Sequence, residues 1–189
     1  MLGDKHMLIL KCDPIDNEVV LKDFDCGNTS VNAMIAASYY PNLLKQSCTY
    51  MVNANNRLIG FYRLSIIALT LDDESAGGIG SYYWQTPSFS AVCLDYIAVD
   101  KRIQRKGLGT KILSLVKEQA TKLSNAWPVR LLVLEALSAK YEWYRERGFA
   151  PIDVEKLSKN DETIHLYIDL LSPVEHSLLN EYIENHSED

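Results

Sequence analysis

The chain has no long apolar run and few cysteines, and both shortages narrow what it can be. Its opening apolar stretch, Met7-Leu8-Ile9-Leu10, is four residues long, too short for a signal-peptide core and far below the roughly 20 residues a helix needs to span a bilayer. No membrane segment is expected, and cytoplasmic residence follows by default. Cys12, Cys26, Cys48 and Cys93 stand at intervals that suit neither a disulfide framework nor a zinc site. They are expected to stay reduced, and no metal is expected. An excess of positive charge is missing too. The formal net charge is −6, which argues against a nucleic-acid binder held by bulk electrostatics. The acidity is local: residues 153–189 hold ten acidic and two basic side chains, so residues 1–152 carry a net +2. An acidic tail of this kind reads first as a solvated face.

With 189 residues, 47% of them hydrophobic, the chain suits one domain with a substantial core, since domains commonly hold roughly 100 to 200 residues. A strand is predicted near Met7–Lys11 and an extended piece near Lys22–Asp25. Asn28, Thr29 and Ser30 offer capping side chains to a helix carrying Val31, Met34, Ile35 and Tyr39 and ending before Pro41. Thr49–Val52 and Leu58–Ala68 read as a hairpin closed by Asn53-Ala54-Asn55-Asn56. Residues 71–90, rich in Asp, Ser, Gly and Pro, read as a loop. Ile112, Leu113, Leu115, Val116, Ala120 and Leu123 form one helical stripe. A strand at Val129–Glu135, a helix from about Ser138 to Arg147 stopped by Gly148, and strands near Ile152–Lys156 and Thr163–Leu170 follow. Beyond Ser172-Pro173, the apolar residues Val174, Leu178, Leu179, Tyr182 and Ile183 mark a last helix. The order implies a mixed α/β domain over residues 1–172, a central sheet with helices on both faces. Residues 173–189 form a helix and acidic tail on or beside it.

Chemistry concentrates between Val92 and Leu115. An apolar strand ending Asp95-Tyr96-Ile97-Ala98-Val99 turns through Asp100-Lys101-Arg102-Ile103 into Gln104-Arg105-Lys106-Gly107-Leu108-Gly109-Thr110 and then a helix. Two glycines at spacing two let backbone amides converge on one point, toward which the helix aims its positive dipole end; Arg105 and Lys106 flank it. That is an anion site of the size of a pyrophosphate. It is not the loop of nucleoside triphosphatases, Gly-x-x-x-x-Gly-Lys-Ser/Thr, nor the Gly-x-Gly-x-x-Gly of dinucleotide folds.

Gln104, Gly107 and Gly109 fall instead on Gln/Arg-x-x-Gly-x-Gly/Ala. Together with the strand end Ile97-Ala98-Val99-Asp100 and the later Trp143-Tyr144-Arg145-Glu146-Arg147-Gly148-Phe149, this resembles the acyl-coenzyme A loop of the GNAT acetyltransferases. The resemblance implies a mostly antiparallel central sheet with a splayed strand pair. It implies acetyl-coenzyme A (acetyl-CoA) as co-substrate, held by residues Gln104 through Thr110 and by the backbone of Ile97, Ala98 and Val99. The amide of Ala98 or Val99 would be the oxyanion donor. Tyr144 would protonate the departing sulfur, the alternative being that it only packs between helix and sheet. Asp95, where relatives hold a glutamate, would take the amine proton directly or through water. A carboxylate drawn out of water on an apolar strand gains basicity, though it could equally bond nearby groups, and Glu135 is the reserve.

The N-terminal half narrows the resemblance. Phe24-Asp25-Cys26-Gly27-Asn28, then Asn32 and Ile35, Thr49-Tyr50, and Ile59-Gly60-Phe61-Tyr62-Arg63-Leu64-Ser65 are similar to the acetyltransferase toxins of toxin-antitoxin pairs. That likeness implies aminoacyl-tRNA as acceptor and a small antitoxin as partner. The acidic balance favours the other reading, transfer to a primary amine of a small molecule or protein. The acceptor site is expected in the loops around residues 28–46 and 71–90. An exposed edge strand or the last helix could mediate a homodimer.

Overall fold

The structure, a computed structural model, describes residues 10–19, 21, 24–55, 57–70, 88–152 and 162–186. Seven strands form one sheet: β1 (Leu10–Pro14), β2 (Ser47–Ala54), β3 (Arg57–Thr70), β4 (Ser88–Val99), β5 (Leu131–Leu137), β6 (Ala150–Pro151) and β7 (Thr163–Asp169). Their order is β1-β2-β3-β4-β5-β7-β6. Pairs β1–β2, β2–β3, β5–β7 and β6–β7 are antiparallel, while β4–β5 is parallel over Ala91↔Leu131 to Cys93↔Val133. The helices are α1 (Thr29–Ala36), α2 (Tyr39–Leu43), α3 (Leu108–Ala126), α4 (Tyr141–Arg145) and α5 (Pro173–His186). Among the described residues no helix is long and apolar enough to cross a membrane.

Contacts divide the chain into two compact units, one of Met1–Ser65 with Leu94–Val116 and one of Ile66–Cys93 with Lys117–Asp189. Strands β3 and β4 and helix α3 each contribute to both. In the first unit Phe24, Ile35, Phe61, Tyr96 and Ala98 make a buried cluster, with Phe24 edge-on to Phe61 at 5.0 Å. Ile35 brings α1 onto the sheet face that carries Phe61. On the opposite face a β-carbon added to Gly60 would meet the Ile112 side chain of α3, so this unit has helices on both faces. In the second unit Ala91, Leu131 and Val133 pack with Ile67, Leu69, Phe89, Ile152 and Tyr167. Arg130 pairs with Asp169 at 2.7 Å and lies over the Phe89 ring.

Local chemistry explains where the elements begin and end. The Asn28 side chain accepts from the Val31 amide and caps α1. The single helix predicted up to Pro41 is two: α1 ends at Ala36, the buried Ser38 hydroxyl returns to the Ile35 carbonyl at 2.5 Å, and α2 begins at Tyr39. Pro41 lies inside α2, within a first turn where the missing N–H costs no helical hydrogen bond. The β2–β3 turn contains Asn55 at φ +49, the left-handed conformation its side chain tolerates. The predicted loop at 71–90 is strand from Ser88 onward, and the rest of it lies outside the described residues, as do residues 7–9, 22–23 and 153–156 of three predicted strands. The helix predicted at 138–147 is a 3-10 turn, Ser138–Lys140, followed by the short α4, with Gly148 at φ +85 behind it.

Candidate active site

The loop that leads into α3 is shaped as an anion cradle. Arg105 at φ +60 and Gly107 at φ +76 are both left-handed, so the backbone reverses twice within three residues and gathers its amides on one side. The first hydrogen bond of α3 is made by the Lys111 amide to the Gly107 carbonyl, at 3.2 Å. The amides of Leu108 and Gly109 precede it and point out of the helix start. A β-carbon at Gly107 would meet nothing within 4 Å, so the space beside this residue is open. The exposed Arg105 and Lys106 stand beside it. These residues fit the diphosphate of a coenzyme A.

The loop is held from a distance by the segment around Asp25. The Asp25 carboxylate accepts from the Gly27 amide at 2.7 Å, the Asn32 amide group at 2.8 Å and Lys101 Nζ at 2.6 Å. The Lys101 amide donates back to the Asp25 carbonyl at 2.8 Å. These donors, Lys101 first, push the Asp25 carboxyl well below the usual carboxylate range. The neighbouring Asp100, buried, accepts from the Arg102 amide and its guanidinium, and Arg102 lowers its pKa. Gln104 closes the arrangement: its Nε2 donates to the carbonyls of Cys26 at 2.8 Å and Val99 at 2.9 Å. Its side chain therefore braces the loop and leaves the anion to backbone amides.

Strand β4 carries an irregularity where the chemistry was expected. Phe61, Arg63 and Ser65 alternate onto one face of β3. Asp95 reaches that face, accepting from Arg63 Nε at 2.7 Å and Ser65 Oγ at 2.8 Å. Its chain neighbour Tyr96 reaches the same face, with the Arg63 guanidinium 5.1 Å over its ring and Phe61 in its cluster. Two consecutive side chains on one face break the alternation, the mark of a β-bulge. Past it, the Asp100 amide donates to the Ile59 carbonyl of β3 at 3.0 Å. Amides alternate along a strand, so those of Ile97 and Val99 turn away from β3 and that of Ala98 turns toward it. Of the two amides expected as oxyanion donor, Val99 is the one aimed outward. The approach of β3 to Ala98 is close enough to require glycine: a β-carbon at Gly60 would sit 2.4 Å from the Ala98 carbonyl oxygen.

Tyr144 belongs to the second unit. It lies edge-on to Trp143 at 4.7 Å and Phe149 at 5.5 Å, and burial pushes its hydroxyl up to about 12. It is therefore protonated at neutral pH and available as a hydrogen-bond donor. Its turn is pinned by Lys117 of α3, whose Nζ donates to the Arg147 carbonyl and lies 5.4 Å from the Phe149 ring centroid. Burial, followed by the charge of Arg147, lowers the Lys117 pKa. Glu135 is exposed and accepts from the Thr163 hydroxyl.

Residues 45–151 match the family model described as an acetyltransferase (GNAT) domain, more than half of the chain. The chain belongs to the GNAT acetyltransferase family. Solved structures extend the likeness of fold beyond that span. A structure described as a bacterial toxin has a TM-score of 0.69 at 18% identity, over 95% of this chain and 98% of that one. AtaT complexed with acetyl-methionyl-tRNAfMet gives 0.68 at 20%, over 92% and 99%. A Tyr-to-Phe mutant of the AtaT toxin, bound to the C-terminus of the antitoxin AtaR and acetyl-CoA, gives 0.65 at 19%, over 86% and 94%.

As a GNAT enzyme, the chain uses acetyl-CoA as the acetyl donor of an N-acetyltransferase. Among the described residues no cluster of His, Cys, Asp and Glu could hold a metal. Sequence reasoning overlooked Asp25, Asn32 and Lys101 as braces of the loop, and Arg63 and Ser65 as partners of Asp95. The first group had a signal, the quoted Phe24–Asn28 segment, but its spatial use of a loop some 75 residues away does not show in the spacing.

Proposed function

We propose that the chain moves an acetyl group from acetyl-CoA to a primary amine by direct transfer, in the cytoplasm. The observation that carries this reading is the braced loop at Gln104–Thr110, following the strand end Ile97–Val99 that lies past the bulge at Asp95 and Tyr96. Acetyl-CoA supplies the activated acetyl thioester. Backbone amides of the loop and the charges of Arg105 and Lys106 hold its diphosphate, and the backbone of Ile97, Ala98 and Val99 holds its arm. The Val99 amide donates to the thioester oxygen as negative charge develops there, a contribution of roughly 10² to 10³ in rate for such donors. Asp95 takes, directly or through a water, the proton the amine loses as the carbon–nitrogen bond forms and the carbon–sulfur bond breaks. Tyr144 donates a hydrogen bond from its hydroxyl to the departing thiolate sulfur, which then takes its proton from solvent.

The acidic balance of the chain favours a small-molecule or protein amine as acceptor. Aminoacyl-tRNA is the second reading, favoured by one observation: the likeness to toxin structures covers 92–95% of the chain, well outside the span of the family model. A thiol-release assay with acetyl-CoA against amines, peptides and aminoacyl-tRNA decides between them. Growth arrest on expression, relieved by Tyr144→Phe and accompanied by acetylated aminoacyl-tRNA, would install the second reading and make an antitoxin partner the next thing to seek. Absence of thiol release with every acceptor would overturn both.

A further inference from the structure

We propose that Arg63 and Asp95 form the recognition site for the acceptor, and that the acceptor is a small amine bearing a free carboxylate. This rests on the acetyltransferase reading above and gives it a substrate class. The guanidinium is fixed in place before anything binds: Nε is committed to Asp95 at 2.7 Å, and the group lies 5.1 Å over Tyr96. The Tyr96 hydroxyl is itself tied to Thr49 at 3.2 Å. Only one of the five guanidinium N–H donors is used, so the four on Nη1 and Nη2 have no partner among the described residues. They form the planar fork that matches a carboxylate bidentately. Both side chains are about four-fifths shielded, at 20% and 18% exposure, yet the Arg63 Nη atoms are not among the buried polar atoms that lack a partner, so the fork keeps an open side from which a ligand can reach it.

Asp95 completes the match. Each of its oxygens accepts one hydrogen bond, from Arg63 or Ser65, and retains capacity for another. The pair is neutral as a whole, so a lone anion at Arg63 is opposed by Asp95, and a lone cation at Asp95 by Arg63. A zwitterion of amino-acid type satisfies both halves at once, with its carboxylate on Arg63 and its amine on Asp95. Asp95 lies four residues before Val99, about 13 Å along β4 between Cα atoms, a gap to be spanned by the carboxylate, the amine held on it and the acetyl carbonyl reaching back from the Val99 amide. An extended polyanion gains little from a neutral pair, and an aminoacyl ester has no free carboxylate to offer.

The test is thiol release by the full chain with free amino acids, each set beside its amide and its decarboxylated amine. The expected result is kcat/KM at least about tenfold higher for the free carboxylate, carried mainly by KM, because a site built to bond a polar group rejects analogues without it. Arg63→Gln should abolish that preference, Arg63→Lys should restore part of it, and the surface variant Lys122→Gln should keep it. Equal rates for acids and amides in the unaltered chain, which needs no variant to fold, would overturn the assignment. So would a preference that survives Arg63→Gln, or transfer confined to aminoacyl-tRNA. Those outcomes leave the acetyltransferase reading standing, whereas no transfer to any amine while calorimetry shows acetyl-CoA bound would overturn both.

Discussion

Replacing Tyr144 with Phe removes one hydroxyl and keeps the ring against Trp143 and Phe149, so the loss can be read as the contribution of one donor. Its size follows from the acidity of the group. Burial places the hydroxyl at about 12, whereas an alkyl thiol titrates near 8.5. Complete proton transfer from this tyrosine to a thiolate is thus uphill by about 5 kcal/mol. Tyr144 therefore acts as a hydrogen-bond donor to a sulfur that leaves with its negative charge, and solvent supplies the proton afterwards. A hydrogen bond to a charged group contributes about 1.5 to 3 kcal/mol, or roughly 10- to 150-fold in rate. Tyr144→Phe should lower kcat by that factor, leave acetyl-CoA binding by calorimetry within about twofold, and leave the midpoint of thermal unfolding little changed. No drop in kcat would refute the assignment. A drop beyond about 10³ would refute the donor-only argument and require full proton transfer. If Tyr141→Phe, not Tyr144→Phe, lowers kcat, the wrong tyrosine has been chosen.

Gly107→Asp places a side chain at φ +76 and a negative charge in the open side of the loop; calorimetry should show at least about a hundredfold loss of acetyl-CoA affinity. Asp25→Ala removes the acceptor of three hydrogen bonds that brace the loop and should weaken acetyl-CoA about fivefold or more, through a residue that needs no contact with it. Gly60→Ala forces β3 and β4 apart at Ala98 and should destabilise the chain by about 1 to 3 kcal/mol in urea unfolding. Tyr144 favours its neutral form in the folded state, so about 3 kcal/mol of stability that is intact below pH 10 is lost as pH rises through 12. Tyr96 and Tyr62, also raised by burial, act in the same sense, and alkaline denaturation monitored by tyrosine absorbance should fall in that window. Asp25 and Asp100 are lowered, so what they contribute is present at neutral pH and fades as pH falls below about 4.

Legibility of the sequence varied with the range of the interaction involved. The anion loop could be read because glycine spacing and a strand-to-helix junction are properties of a dozen adjacent residues. The α1 cap could be read from Asn28 for the same reason. The bulge at Asp95 and Tyr96 could not: β4 is apolar on both sides of Asp95, so no alternation marks its faces, and only the partner side chains on β3 reveal that two neighbours share a face. That Arg63, and not apolar surface, meets Asp95 depends on the same pairing. The break between α1 and α2 turned on the buried Ser38 hydroxyl bonding backward, a competition that composition does not announce. Pro41 reads as a stop in the sequence because the break that sets it in the first turn of a new helix leaves no mark there.

The Asp25 brace bears on how much of this chain can be cut out and still bind. The match to the family model begins at residue 45, yet the struts of the anion loop come from Asp25, Cys26 and Asn32. A fragment trimmed to 45–151 would keep every residue of the loop and lose the scaffold that imposes left-handed backbone on Arg105. That loop would sample many shapes, and ordering it would be charged against each binding event. In this protein the portable unit is therefore larger than the recognisable one, and a chimera that borrows the acetyltransferase core must carry the N-terminal segment with it.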